Sequence, residues 1–201
     1  SGASVFLSQF WGTRDLKNVR RTIGMMSLLG PVAVTLFTLG ALLAPRFLVG
    51  FYVHEEPALS MGASYLRIVG ISYPVTALSM ILSMVCRCTG DVSIPTRASM
   101  LSIVINVVGN ALLIFGLCGF PALGLDGAAI ATAIARTAEC LFLVIIIYQK
   151  KLPGAAKVKE LFAFDKSFVS KYIKTAWPVL LNEILWSTGI SLYSVAYGLL
   201  G

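Results

Sequence analysis

Charge is scarce in this chain. Only 12% of its 201 residues are Asp, Glu, Lys or Arg, about half the share usual in a soluble domain. Hydrophobic residues make up 57%, and mean hydropathy is +0.85. A water-soluble fold of this length could not bury so much apolar surface, so the composition defines an integral membrane protein. Histidine occurs once, as His54 in the loop sequence His54-Glu55-Glu56. That excludes the paired-histidine zinc motif and leaves no Ser/His or Cys/His nucleophile arrangement inside an apolar run. No phosphate-cradling glycine loop and no metal cluster is present, so catalytic and metal-ligating residues are none. The four cysteines, Cys86, Cys88, Cys118 and Cys140, fall in or at the ends of apolar runs. They are expected as packed free thiols rather than a disulfide framework.

The stretch 106–136, approached through residues 87–97, organises the rest. An apolar run carries Asn106 and Asn110 four residues apart. A reversal follows with Gly119, Pro121, Gly124 and Gly127, and a second apolar run opens with Ala128, Ala129, Ala131 and Thr132. Residues i and i+4 share a helix face, so the two amides point the same way. Each run has about 20 residues, enough to cross ~30 Å of hydrocarbon at ~1.5 Å per residue. The pattern predicts a transmembrane helical hairpin with a polar stripe.

Further spans are expected at residues 23–44, with a kink at Pro31, at 58–85, with Pro74 near the centre, and from Ala176 onward, with Pro178. Residues 9–21 form a charged loop between a first short apolar stretch and the first full span. In 151–175, Phe164, Phe168, Tyr172 and Ile173 recur at helical spacing between lysines. That predicts an amphipathic helix at the membrane surface, with Asp165 as an N-cap. The chain opens at Ser1 eight residues before polar sequence and closes at Gly201 after an apolar run, so a piece of a longer polypeptide is expected.

The net charge of +7 does not indicate a nucleic-acid partner, because its distribution has another cause. Of the 16 basic residues, Arg46 lies on one side and Arg67 and Arg136 lie within spans. All others fall in loops on the opposite side. The positive-inside rule makes those loops cytoplasmic.

Six ordered segments carry a family resemblance: SGASVFLSQFWGTRD, YLRIVGISYP, RCTGDVSIP, INVVGNALLIFG, PALGLDGAAIATAIAR and AWPVLLNEILWS. Together they resemble the multidrug and toxic compound extrusion (MATE) family. The resemblance implies an all-α polytopic membrane protein, part of a two-lobe, twelve-helix transporter. Residues 1–150 would be the partial N-terminal lobe, from the end of its second helix through its sixth. Residues 151–175 would be the cytoplasmic interlobe linker, and 176–201 the first helix of the C-terminal lobe. It also implies a plasma-membrane antiporter that exports organic, cationic or amphipathic compounds as Na+ or H+ enters, with no other cofactor. The partners would be the lipid bilayer, the small-molecule substrate and the missing remainder of the polypeptide. A lipid-linked oligosaccharide flippase of the same superfamily is the alternative.

In one branch of the family a cation site of the N-terminal lobe uses an Asn and an acid one turn apart in the fifth helix and a Thr in the sixth. Carried onto this sequence, these are Asn106, Asn110 and Thr132, with Asn110 standing where the acid would be. Glu183 is a candidate on independent grounds. A carboxylate inside an apolar span costs ~2.5–3.5 kcal/mol on insertion scales and tends to face a cavity or partner. Arg136 and Glu139, three residues apart, can pair on one helix face as a cavity ion pair.

Overall fold

The computed structural model describes residues 2–155, 161 and 165–200. Among these the secondary structure is helical without strands: α1 (Gly2–Gly12), α2 (Leu16–Leu43), α3 (Pro45–Gly50), α4 (Glu56–Ile71), α5 (Tyr73–Cys88), α6 (Ser93–Phe115), a 3-10 turn (Leu117–Gly119), α7 (Gly124–Gln149) and α8 (Lys166–Leu200). Helices α2, α6 and α7 are long and apolar enough to cross a membrane, and α4 with α5 qualifies as one broken span bent by 52°. The expected hairpin is α6–α7, and the expected all-helical, multi-pass class holds.

Several boundaries differ from expectation. The charged loop predicted over residues 9–21 is confined to residues 13–15, because Asp15 starts α2 early. Its Oδ1 accepts from the Asn18 backbone N–H at 3.1 Å and its Oδ2 from Asn18 Nδ2 at 2.6 Å, satisfying a donor that an uncapped helix start would leave bare. The span expected over residues 58–85 breaks at Ser72, two residues before Pro74. Proline has no N–H for the carbonyl of Gly70, and the Ser72 N–H bonds instead to Val69 O at 2.9 Å. By contrast, α2 runs through Pro31 and α8 through Pro178 without interruption.

Asp165 caps α8 as expected, its Oδ1 accepting from the Phe168 N–H at 2.8 Å. The expected amphipathic helix does not end before Ala176, where a last span was expected. Among the described residues, the helix that contains both is not one of those long and apolar enough to cross a membrane. From Lys166 it continues as one 35-residue helix, since nothing between Lys171 and Pro178 breaks it. Phe164 lies outside the described residues. Phe168 and Tyr172, expected to face the bilayer surface, instead pack on α1. Tyr172 is buried and stacks on Phe6 at 5.8 Å, while Phe168 stacks on Phe10 at 6.3 Å. All four cysteines are free, but Cys118 is exposed rather than packed.

The chain forms two compact units whose boundaries fall inside the long helices. The first comprises 1–30, 80–95 and 144–201. Its core joins Ala3, Phe6 and Leu7 of α1, Val19, Ile23 and Met26 of α2, Ile81 and Val85 of α5, and Tyr172 and Ala176 of α8.

The second unit comprises 31–79 and 96–143. It contains the packed pair α3–α4 and the α6–α7 hairpin. Small residues let that hairpin close tightly. A Cβ added to Gly109 would lie 3.0 Å from Ala131 Cβ, and one on Gly127 would lie 2.5 Å from Leu113 O. At the reversal, the Leu123 N–H donates to Leu113 O at 2.8 Å.

Candidate functional site: a polar seam between α6 and α7

On α6, Ser99, Ser102, Asn106 and Asn110 are spaced three, four and four residues apart, which places them along one helix face. Each of the first three meets α7. Ser99 Oγ donates to Glu139 Oε1 at 3.2 Å, Ser102 Oγ to the Ala135 carbonyl at 3.2 Å, and Asn106 Nδ2 to Thr132 Oγ1 at 3.2 Å. Asn110 Nδ2 then donates to Asn106 Oδ1 at 3.1 Å, and the Thr132 hydroxyl donates to the Ala128 carbonyl at 2.9 Å. The result is a ladder of hydrogen bonds inside an otherwise apolar helix pair.

Asn106, Asn110 and Thr132 are thus brought into one network, the three residues that the family resemblance groups together. Every polar atom of that network but one is engaged. Asn110 Oδ1 is buried and has no hydrogen-bond partner, and an orphaned acceptor in such a place carries a desolvation cost of about 1–3 kcal/mol. A cavity of about 310 Å³ adjoins the seam, lined by Ser99, Ser102, Ile103, Asn106, Val107, Thr132, Ala135 and Arg136.

Arg136 and Glu139 do form an ion pair, with Arg136 Nη1 2.9 Å from Glu139 Oε2. The pair is asymmetric: the Arg136 side chain is 46% exposed and that of Glu139 only 7%. Glu139 therefore has both oxygens occupied, one by Arg136 and one by Ser99, as a buried carboxylate requires. Arg136 is also one of the residues that line the cavity. Glu183 lies in the other unit, on α8, and is exposed there.

Sequence reasoning overlooked Ser99 and Ser102. Their signal was their position: one and two turns before Asn106, in phase with it on an apolar helix. Single serines in a span bond readily to their own helix backbone, so only the shared phase distinguishes them.

A bundle of long apolar helices with a hydrogen-bonded polar seam is the architecture of a multi-pass membrane protein with an internal polar site. The MatE family model matches residues 1–112, and the chain belongs to that family. It is 30% identical over 193 residues to the probable multidrug resistance protein YoeA of Bacillus subtilis (strain 168), covering 93% of this chain and 41% of that protein. It is 27% identical over 201 residues to the multidrug export protein MepA of Staphylococcus aureus (strain bovine RF122 / ET3-1), covering 98% and 43%. Its fold matches a solved structure described as the inward-facing conformation of a multidrug resistance MATE family transporter of the MOP superfamily. The TM-score there is 0.72 at 18% identity, over 98% of this chain and 42% of the other. The chain spans about two fifths of the length of these relatives.

Proposed function

We propose that the chain is the partial N-terminal lobe (1–150), interlobe linker (151–175) and first C-lobe helix (176–201) of an exporter. The whole protein exchanges organic, cationic or amphipathic compounds for Na+ or H+ across the plasma membrane, with the basic loops cytoplasmic. Two lobes rocking about a midplane site accomplish alternating access. The observation that carries this reading is the Asn110–Asn106–Thr132 network beside a cavity, in a chain whose relatives are named for multidrug export.

The seam's chemistry supports coupling to a cation. Asn110 Oδ1 is an unengaged oxygen, and the Asn106 and Thr132 oxygens can turn from their present partners toward a small hard cation, which favours oxygen ligands. Among the described residues no carboxylate joins this network directly, and the one on the seam, Glu139, is held by Arg136. The cation would therefore be bound weakly and released readily.

Counterflow in vesicles containing the full-length polypeptide tests the proposal. An inward Na+ or H+ gradient should drive efflux of a fluorescent organic cation, and Asn106→Ala should reduce the rate at least tenfold. Efflux that ignores both gradients would reject the antiport mechanism.

A further inference from the structure

A second cavity in the same unit, of about 380 Å³, lies where the end of α2 meets α3 and α4. Its polar lining is Arg46, Ser60, Ser64 and Arg67. Ser60, Ser64 and Arg67 are four and three residues apart on α4, hence on one face, and Arg46 approaches from α3. Among the described residues, neither guanidinium has an ion-pair partner, although Glu55 and Glu56 lie close by in sequence. Among the same residues neither serine hydroxyl has a hydrogen-bond partner.

Two like charges brought to one cavity repel. The packing of α3 on α4, with Val49 closing on Gly62, holds them there nonetheless. An arrangement of two guanidinium forks and two hydroxyls is built for an oxyanion, since Arg matches phosphate geometry bidentately.

The surroundings indicate which oxyanion. Phe47, Phe51 and Tyr52 are 68%, 56% and 51% exposed, and Phe47 and Phe51 meet edge to face at 4.9 Å. Of these, Tyr52, exposed just past the end of a spanning helix, is of the residue type that sits at the headgroup level of a bilayer. A guanidinium pair at that depth meets the phosphodiester layer, whose oxygens it can grip bidentately.

We propose that Arg46 and Arg67, with Ser60 and Ser64, form a binding site for the phosphodiester of a phospholipid headgroup. The site lies at the membrane face opposite the basic loops and secures α3–α4 to the bilayer surface. It is independent of the seam between α6 and α7 and of the export reaction.

The test uses the full-length protein in a phosphate-free detergent, with thermal unfolding as the readout. Dihexanoyl-phosphatidylglycerol should raise the midpoint saturably, at concentrations at least tenfold below those at which inorganic phosphate acts. Dihexanoylglycerol, which lacks the phosphate, should have no comparable effect. The Arg46→Gln/Arg67→Gln double variant should lose the lipid response. Both side chains are exposed, so the variant should still fold and elute as wild type does. Arg46→Lys/Arg67→Lys keeps the charge without the fork and should respond at an intermediate concentration. A lipid response unchanged in the glutamine variant, or no response in the wild type, overturns the proposal. Inorganic phosphate acting at the same concentration as the lipid overturns its assignment to a headgroup.

Discussion

Asn106 reaches across from α6 to Thr132 of α7, Nδ2 to Oγ1 at 3.2 Å, and its own Oδ1 receives Asn110 at 3.1 Å. Asn106 is therefore both donor and acceptor in one half-buried relay, and neither neighbour can replace it. Interhelical hydrogen bonds within membranes contribute about 0.6–2 kcal/mol. Asn106→Ala is expected to cost stability in that range, read as a lower unfolding midpoint in detergent. Asn110→Ala should cost less, because it also removes the orphaned Oδ1. Equal losses from the two variants would contradict the relay.

Asn110→Asp places a carboxylate where the resemblance leads one to expect an acid. At neutral pH the network would gain a negative charge beside the Asn106 and Thr132 oxygens. Stabilisation by Na+ should then appear or strengthen, measured as a midpoint shift between sodium and N-methylglucamine buffers of equal ionic strength. An aspartate variant indifferent to sodium would show that this seam does not bind the ion.

Arg136 and Glu139 differ in burial, so their removals should not be equivalent. Arg136→Gln leaves a carboxylate with a 7% exposed side chain facing only Ser99, and an uncompensated buried charge costs about 3–5 kcal/mol. The 46% exposure of Arg136 admits solvent and should bring the loss to the low end of that range or below. Glu139→Gln leaves a half-exposed cation, which costs less. In the double glutamine variant most of the Arg136→Gln loss should return. A double-mutant cycle on unfolding midpoints measures this coupling, and additive losses would mean the pair contributes nothing.

Much of this fold was legible because hydropathy and charge act over whole segments. The α6–α7 hairpin, the all-helical multi-pass class and the family motifs are all long signals. Local stereochemistry was less visible. Asp15 starts α2 through a cap formed with Asn18, which looks in sequence like one more polar residue in a charged loop. The Asn106, Asn110 and Thr132 grouping could be placed by family likeness, but Ser99 and Ser102 could not, since a lone serine has no required partner. Glu183 stood out by the cost of a charge in a span, yet among the described residues the carboxylate that is buried is Glu139. A neighbouring arginine on the same helix made Glu139 look already neutralised. The aromatics of 164–173 showed helical phase but not what they cover. A bilayer and the face of α1 present the same apolar surface to Phe168 and Tyr172.

Tyr172 gives that α1–α8 contact a pH dependence. It is 5% exposed, and burial raises its phenol above the ordinary value of 10.0. The folded state thus retains a proton that the unfolded chain releases near pH 10. Stability from this group is intact below pH 10 and falls as pH climbs from there through the raised folded value. Tyr172→Phe keeps the ring against Phe6 and removes the ionisation. The midpoint difference between variant and wild type should be constant from pH 7 to 9 and widen in the variant's favour above pH 10. A constant difference at all pH values would mean that Tyr172 ionises freely in the folded protein.

Gly127 sits where α7 passes close against α6. A Cβ there would stand 2.5 Å from Leu113 O and 3.0 Å from Leu113 Cβ, closer than van der Waals contact allows, and the nearest obstacle is backbone that cannot rotate away. Gly127→Val must push the two helices apart. Overpacking of this kind costs about 1–3 kcal/mol, and the movement is passed to Thr132, little more than one turn further along α7. The 3.2 Å bond from Asn106 should lengthen or break, so Gly127→Val should lower both the unfolding midpoint and transport by the full-length protein. Gly189→Ala is the matching control. Its added methyl meets nothing within 4 Å, and in a helix interior alanine is favoured over glycine by about 0.5–1 kcal/mol. That variant should be neutral or more stable, with transport unchanged. If Gly127→Val were equally silent, the close approach of α6 and α7 would not be what holds the polar seam together.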